Sequence, residues 1–184
     1  MNLPNKLTFM RIILTVPFIY FLQASETHGI WFRLMAFVIF IVASLTDFFD
    51  GYLARKYDLI SNFGKIMDPL ADKILVISAL VLFVKLDYIP AWMSIVVIAR
   101  EFLISGIRML AAANGEIIPA GKLGKYKTSS QMIVIILILL TGPAIKLGSA
   151  RFPMMYLMLI PVILTVWSGW EYSVKAKHYL LNNI

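Results

Sequence analysis

The chain contains no cysteine, which removes thiolate nucleophiles, zinc–thiolate sites and iron–sulfur clusters and excludes a disulfide scaffold. Charge is scarce as well. Only 15% of the 184 residues are charged and 60% are hydrophobic, against about 25% and about 45–50% in a soluble domain. With a mean hydropathy of +0.84, that balance excludes disorder and places the chain in the membrane class. Histidine is limited to His28 and His178, neither of which has a metal-ligating companion at useful spacing. Strand-like alternation, low-complexity tracts and internal repeats are all missing. Acidic residues number 10 against 17 basic ones, a net charge of +7. In a soluble protein that excess suggests nucleic acid; in a membrane protein it marks cytoplasmic loops and anionic partners. Membrane lipid is therefore the expected partner, and no nucleic acid.

A membrane-spanning helix needs about 20 mainly apolar residues. Six segments approach that length, at about 7–22, 30–53, 66–84, 89–113, 128–145 and 152–170. Short polar or Gly/Pro-containing stretches separate them, at 23–29, 56–65, 85–88, 114–127 and 142–151. The pattern predicts an all-α fold, a six-transmembrane-helix bundle forming one domain over residues 1–184. Pro17 inside the first segment, and the five spans after it, favour an uncleaved helix over a signal peptide. Orientation follows from the basic residues. With both termini cytoplasmic, that side receives Lys6, Arg11, Arg55, Lys56, Lys65, Lys73, Arg108, Lys122, Lys125, Lys127, Lys175 and Lys177. The opposite side keeps Arg33, Lys85, Lys146 and Arg151. The positive-inside rule then predicts a cell-membrane protein with cytoplasmic termini and a cytoplasm-facing site. Trp31, Trp92, Trp167 and Trp170 read as interfacial anchors. Met154, Met155 and Met158 read as packing residues rather than ligands.

Three segments carry charges that a plain anchor would not. Asp47 and Asp50 lie in the second, Asp68, Asp72 and Lys73 in the third, and Arg100, Glu101 and Arg108 in the fourth. An ionised side chain at the centre of a spanning helix costs at least about 2.5–3.5 kcal/mol, so such groups face the bundle interior or a wet cavity. Lys73 and Arg108 are long enough to snorkel to water, but carboxylates are not. Asp47 and Asp50 are an i,i+3 pair and Asp68 and Asp72 an i,i+4 pair, so each pair shares one helix face. The short 56–65 connection makes the two helices antiparallel neighbours with both pairs at similar depth. Four converging carboxylates repel unless a cation sits among them. Hard oxygen ligands point to Mg²⁺ or Mn²⁺, one ion or two. Gly51, Ala54 and Gly64 leave room beside these carboxylates, or else serve close helix packing. Arg55 offers a fork of donors suited to phosphate.

The spacing Asp47-x2-Asp50-Gly51-x2-Ala54-Arg55-x8-Gly64-x3-Asp68-x3-Asp72 fixes eight positions over 26 residues. It resembles, without a departure, the defining motif of the CDP-alcohol phosphotransferase family of integral membrane enzymes, and the hydropathy agrees along essentially the whole chain. The resemblance implies a two-metal site in which Asp47, Asp50 and Asp68 hold the ions. It implies that Asp72 lies near them as catalytic base, and that Gly51, Ala54 and Arg55 line the CDP site with Gly64 clearing space beside the metals. A homodimer is implied by the same analogy. Two cations about 3.5–4 Å apart suit the chemistry, because they can clamp a pyrophosphate and stabilise entering and leaving oxygens.

Two further stretches, Arg100-Glu101-Phe102-Leu103-Ile104-Ser105-Gly106-Ile107-Arg108 and Gly121-Lys122-Leu123-Gly124-Lys125-Tyr126-Lys127-Thr128-x2-Gln131, resemble the branch of that family whose acceptor is sn-glycerol 3-phosphate. So does the opening Leu3-Pro4-Asn5-Lys6-Leu7-Thr8-x2-Arg11, where Asn5, Thr8 and Arg11 would help cap the nucleotide. The resemblance implies transfer of a phosphatidyl group from CDP-diacylglycerol to glycerol 3-phosphate. An acceptor with its own phosphate needs additional donors, and Arg100, Arg108, Lys122, Lys125, Lys127 and Thr128 are the candidates. The lysines equally suit a positive-inside loop before the fifth span. Two alternatives remain open. One is the same family with inositol, inositol phosphate, serine or phosphatidylglycerol as acceptor. The other is a divalent-cation transporter with the Asp rows as its path.

Overall fold

In the computed structural model, residues 3–56, 62–113, 121–146 and 151–181 are described, with side chains over 8–46, 70–71, 73–111, 121–142 and 154–174. Among these residues six helices follow one another and no strand occurs: α1 Leu3–His28, α2 Ile30–Lys56, α3 Asn62–Lys85, α4 Ala91–Ala113, α5 Lys122–Lys146 and α6 Arg151–Leu181. The all-helical expectation holds. Every helix but α4, which starts two residues inside its segment just after Pro90, also overruns its apolar segment, because hydropathy reports only the part that suits lipid. Lys, Glu and Gln are good helix formers and carry the helix onward into polar surroundings. The largest correction concerns Lys122, Lys125 and Lys127, which belong to the first turns of α5 and not to a loop.

The turns have local causes. Gly29 adopts φ 78° between α1 and α2, and its N–H donates to the Ser25 carbonyl at 3.1 Å. That left-handed position is one only glycine takes without strain. After α3 the same role falls to Asp87, at φ 61°. The Asp87 N–H donates to the Val84 carbonyl and the Tyr88 N–H to the Phe83 carbonyl, the paired closure of a Schellman motif. The Tyr88 ring then packs on Phe83 with centroids 6.0 Å apart, and Pro90 follows just ahead of α4.

Helix α1 packs against α2 and α3, α5 against α6 and α2, and α4 against α6 and α3, while α3 also touches α2 and α5. Among the described residues the main apolar core runs through the bundle, with Phe18 and Leu22 of α1, Phe40 of α2, Leu80 and Phe83 of α3, Met93 of α4, Ile135 and Ile138 of α5 and Met158 of α6, and Ile104, Ile107 and Tyr172 form a smaller cluster. Met154 and Met158 are buried in it, as packing residues should be. The outer surface is apolar too. Val16, Ile95, Leu103, Ile163 and Val166 are all more than half exposed, the inverse of a soluble protein and what a lipid solvent permits. Trp31, Trp92, Trp167 and Trp170 are exposed as well. Among the described residues, three stretches are long and apolar enough to cross a membrane: Thr8–His28, Lys122–Gly142 and Met154–Val174. Ile30–Thr46 of α2 is apolar but shorter.

Candidate functional site

Asp47 and Asp50 lie on α2, as do Gly51, Ala54 and Arg55. Gly64, Asp68 and Asp72 lie on α3. The motif is therefore carried by two helices that touch, and each Asp pair keeps the spacing that puts it on one helix face. The side chains of these eight residues, and that of Asn5 on α1, fall outside the described set. The donor chemistry itself fits a hard divalent cation: carboxylate oxygens only, in a chain with no cysteine, suit Mg²⁺ or Mn²⁺. Thr8 and Arg11 of α1 are almost fully buried, at 1% exposure each. Helix α1 contacts both α2 and α3, so it offers these two polar groups from the element that joins the two Asp-bearing helices.

The basic candidates divide into three groups. Lys127 and Thr128 line a cavity of about 50 Å³ among α3, α4 and α5, together with Lys73, Glu101 and Gln131 on its polar side. Lys127 is 1% exposed and its Nζ donates to Glu101 Oε1. Arg100 approaches the same carboxylate oxygen at 3.4 Å and donates through Nη2 to Ser168 Oγ of α6 at 3.1 Å. Room for its side chain comes from two glycines. An added Cβ at Gly124 would lie 3.8 Å from Arg100 Nη2, and one at Gly169 would lie 3.3 Å from Arg100 Cγ. Arg108 forms the second group: it lies over the Tyr172 ring at 5.4 Å, with Nε 3.4 Å from the phenol oxygen. Lys122 and Lys125 form the third, exposed on the first turn of α5. Thr128 is exposed and its hydroxyl donates back to the Gly124 carbonyl at 3.1 Å.

Lys73 and Arg108, both long enough to snorkel, also make cross-helix contacts. Lys73 of α3 donates to Ser105 Oγ and, at 3.4 Å, to the Glu101 carbonyl of α4. Arg108 is engaged by α6. Three polar residues that the motif reasoning left aside sit at the centre of this arrangement: Glu101, Lys73 and Gln131. The signals were present. A carboxylate inside an apolar run needs a partner, and Lys127 and Gln131 stand at i,i+4 on one face of α5.

Helix α5 begins with lysines at 122, 125 and 127, where the macrodipole favours negative charge and opposes positive. An anion bound there would satisfy both the helix end and the ammonium groups.

Comparison with known proteins finds the CDP-alcohol phosphatidyltransferase family model matching residues 1–167. A Bacillus subtilis CDP-diacylglycerol–glycerol-3-phosphate 3-phosphatidyltransferase is 45% identical over 183 residues, covering 95% of this chain and 94% of its own length. The proteins of the same name from Rickettsia felis and Pectobacterium atrosepticum are 36% and 35% identical. Each of those two alignments covers 97% or more of both chains.

Proposed function

This chain belongs to the CDP-alcohol phosphatidyltransferase family, and from that premise we propose that it transfers the phosphatidyl group of CDP-diacylglycerol to sn-glycerol 3-phosphate, releasing CMP. The observation that carries the reading is the uninterrupted eight-position Asp motif, borne by two touching helices. The relatives matched along nearly the whole chain support the acceptor. A hydroxyl oxygen of glycerol 3-phosphate attacks the phosphorus that bears the diacylglycerol. A new P–O bond forms, the bond to CMP breaks, and the hydroxyl proton passes to Asp72, a carboxylate one turn from Asp68. Asp47, Asp50, Asp68 and, at its edge, Asp72 would hold two Mg²⁺ or Mn²⁺ ions. When bound, these supply charge neutralisation to the pyrophosphate and to the leaving CMP oxygen.

Gly51, Ala54 and Gly64 leave space for the nucleotide and its pyrophosphate, and Arg55 donates to phosphate oxygens. Asn5, Thr8 and Arg11 of α1 close the nucleotide site. Lys127, Arg100 and Thr128, with Lys122, Lys125 and Arg108 nearer the periphery, receive the acceptor's phosphate. All six helices lie in the cell membrane, with the site and both termini at the cytoplasmic face and two copies forming a homodimer. The lipid tails then remain in the bilayer while the head group reaches a polar cavity. Purified protein in detergent, given CDP-diacylglycerol, Mg²⁺ and a panel of alcohols, tests this reading. CMP release is expected with glycerol 3-phosphate, lost on chelation and restored by Mg²⁺ or Mn²⁺. Turnover with free inositol or serine and none with glycerol 3-phosphate would replace the acceptor.

A further inference from the structure

Glu101 joins three helices at a single residue. Its Oε1 accepts from Lys127 Nζ of α5 and, at 3.4 Å, from Arg100 Nη1. Its backbone carbonyl accepts from Ser105 Oγ at 2.7 Å and from Lys73 Nζ of α3 at 3.4 Å. The side chain is not at the surface: relative exposures are 20% for Glu101, 14% for Arg100 and 2% for Lys127. Beside it lies the cavity of about 50 Å³ walled by Lys73, Lys127, Thr128 and Gln131, room for roughly three to five water-sized groups. Gln131 is 3% exposed, and its buried Nε2 has no hydrogen-bond acceptor among the described residues. Donors therefore dominate the cavity wall, and the carboxylate that meets Lys127 is supplied by the protein itself.

We infer that Glu101 is a positioning residue that acts as a resident counter-anion. It holds the Lys127 and Arg100 cations until the phosphate of the acceptor takes them over and also satisfies the Gln131 amide. The inference rests on the proposed phosphate-bearing acceptor and adds a selection rule to it. A buried ammonium without a counter-charge is strongly disfavoured, so Lys127 keeps its place in the substrate-free bundle only with an anion beside it. Glu101 offers one negative charge. A phosphate monoester brings about −1.5 to −2 charges and three acceptor oxygens, so it competes successfully for both cations. A neutral polyol brings neither and leaves Glu101 in place. The same residue that stabilises the empty site thereby excludes acceptors without a phosphate.

Glu101→Gln keeps the size and one acceptor oxygen and removes the competing charge. The expected result is a several-fold lower KM for glycerol 3-phosphate, with kcat unchanged or reduced. Inorganic phosphate is expected to inhibit at a several-fold lower concentration and to raise the melting temperature further than in the unaltered protein. A purely structural Glu101 would lower the melting temperature and kcat while leaving KM and phosphate inhibition where they were, and that pattern overturns the inference, as does a raised KM. The phosphate-induced melting shift needs no turnover, so it decides the role of Glu101 even if glycerol 3-phosphate proves not to be the acceptor. If Glu101→Gln does not fold, Gln131→Met, close in shape but without the donor, provides the second test. It is expected to raise KM for glycerol 3-phosphate several-fold with KM for CDP-diacylglycerol unchanged; equal KM values would overturn the takeover of the cavity by phosphate.

Discussion

At the scale of single residues, the proposed roles set Asp72, as base, apart from Asp47, Asp50 and Asp68, as metal ligands. Asp72→Asn preserves shape and removes the only function a general base has, so turnover is expected to fall at least about 100-fold while CDP-diacylglycerol binding is largely kept. Asp50→Asn would remove a proposed metal ligand and is expected to weaken Mg²⁺-dependent nucleotide binding as well. Equilibrium binding of labelled CDP-diacylglycerol to both variants separates the roles, and near-normal turnover in Asp72→Asn would end its assignment as base. On the acceptor side, Lys127→Gln removes a charge-assisted contact worth about 1.5–3 kcal/mol, or roughly 10- to 100-fold in kcat/KM for glycerol 3-phosphate. Steady-state kinetics with each substrate varied in turn check that the loss falls on the acceptor. The Asp motif was legible because its partners are close in sequence and helical periodicity alone puts them on a face. The Lys127–Glu101 contact was not legible, since the two residues are 26 positions apart and meet through the packing of both α4 and α5 against α6 and α3.

At the scale of helices, the joins are set by backbone conformation and by what glycine leaves out. Gly29 has φ 78° and nothing within 4 Å of an added Cβ, so Gly29→Ala isolates the backbone cost, about 1–2 kcal/mol. A lowered melting temperature in detergent, with kinetics intact, is the expected outcome. Gly142 poses the opposite case. A Cβ there would lie 2.7 Å from Arg33 Nη2 and 2.9 Å from its Cζ. Arg33 cannot simply swing away, being 3% exposed, bonded to Tyr88 Oη and lying 5.0 Å over that ring. Gly142→Ala is expected to cost about 1–3 kcal/mol through overpacking. Most of that cost is expected to vanish on an Arg33→Ala background, a non-additivity that a double-mutant cycle reads directly. Hydropathy marked the helix interiors correctly. It missed the polar turns at either end, such as the lysine-rich start of α5, because those residues favour helix without favouring lipid.

At the scale of the whole molecule, the distribution of basic residues and the position of the site make one joint prediction. The bundle presents an apolar exterior on every helix, so it gives no information about which end faces the cytoplasm; that rests on charge alone. Lys85 ends α3 and Lys125 lies in the first turn of α5, and both are exposed. The twelve-to-four bias in lysine and arginine predicts Lys125 at the cytoplasmic side and Lys85 at the opposite one. Because the chain has no cysteine, Lys85→Cys and Lys125→Cys each introduce a unique thiol. A membrane-impermeant maleimide added to intact cells or right-side-out vesicles is expected to label Lys85→Cys and spare Lys125→Cys, and inverted vesicles should give the reverse. Labelling of Lys125→Cys from outside would turn the molecule over. The acceptor cations would then face away from the compartment in which a water-soluble phosphorylated alcohol is held, and the site could not draw on that pool.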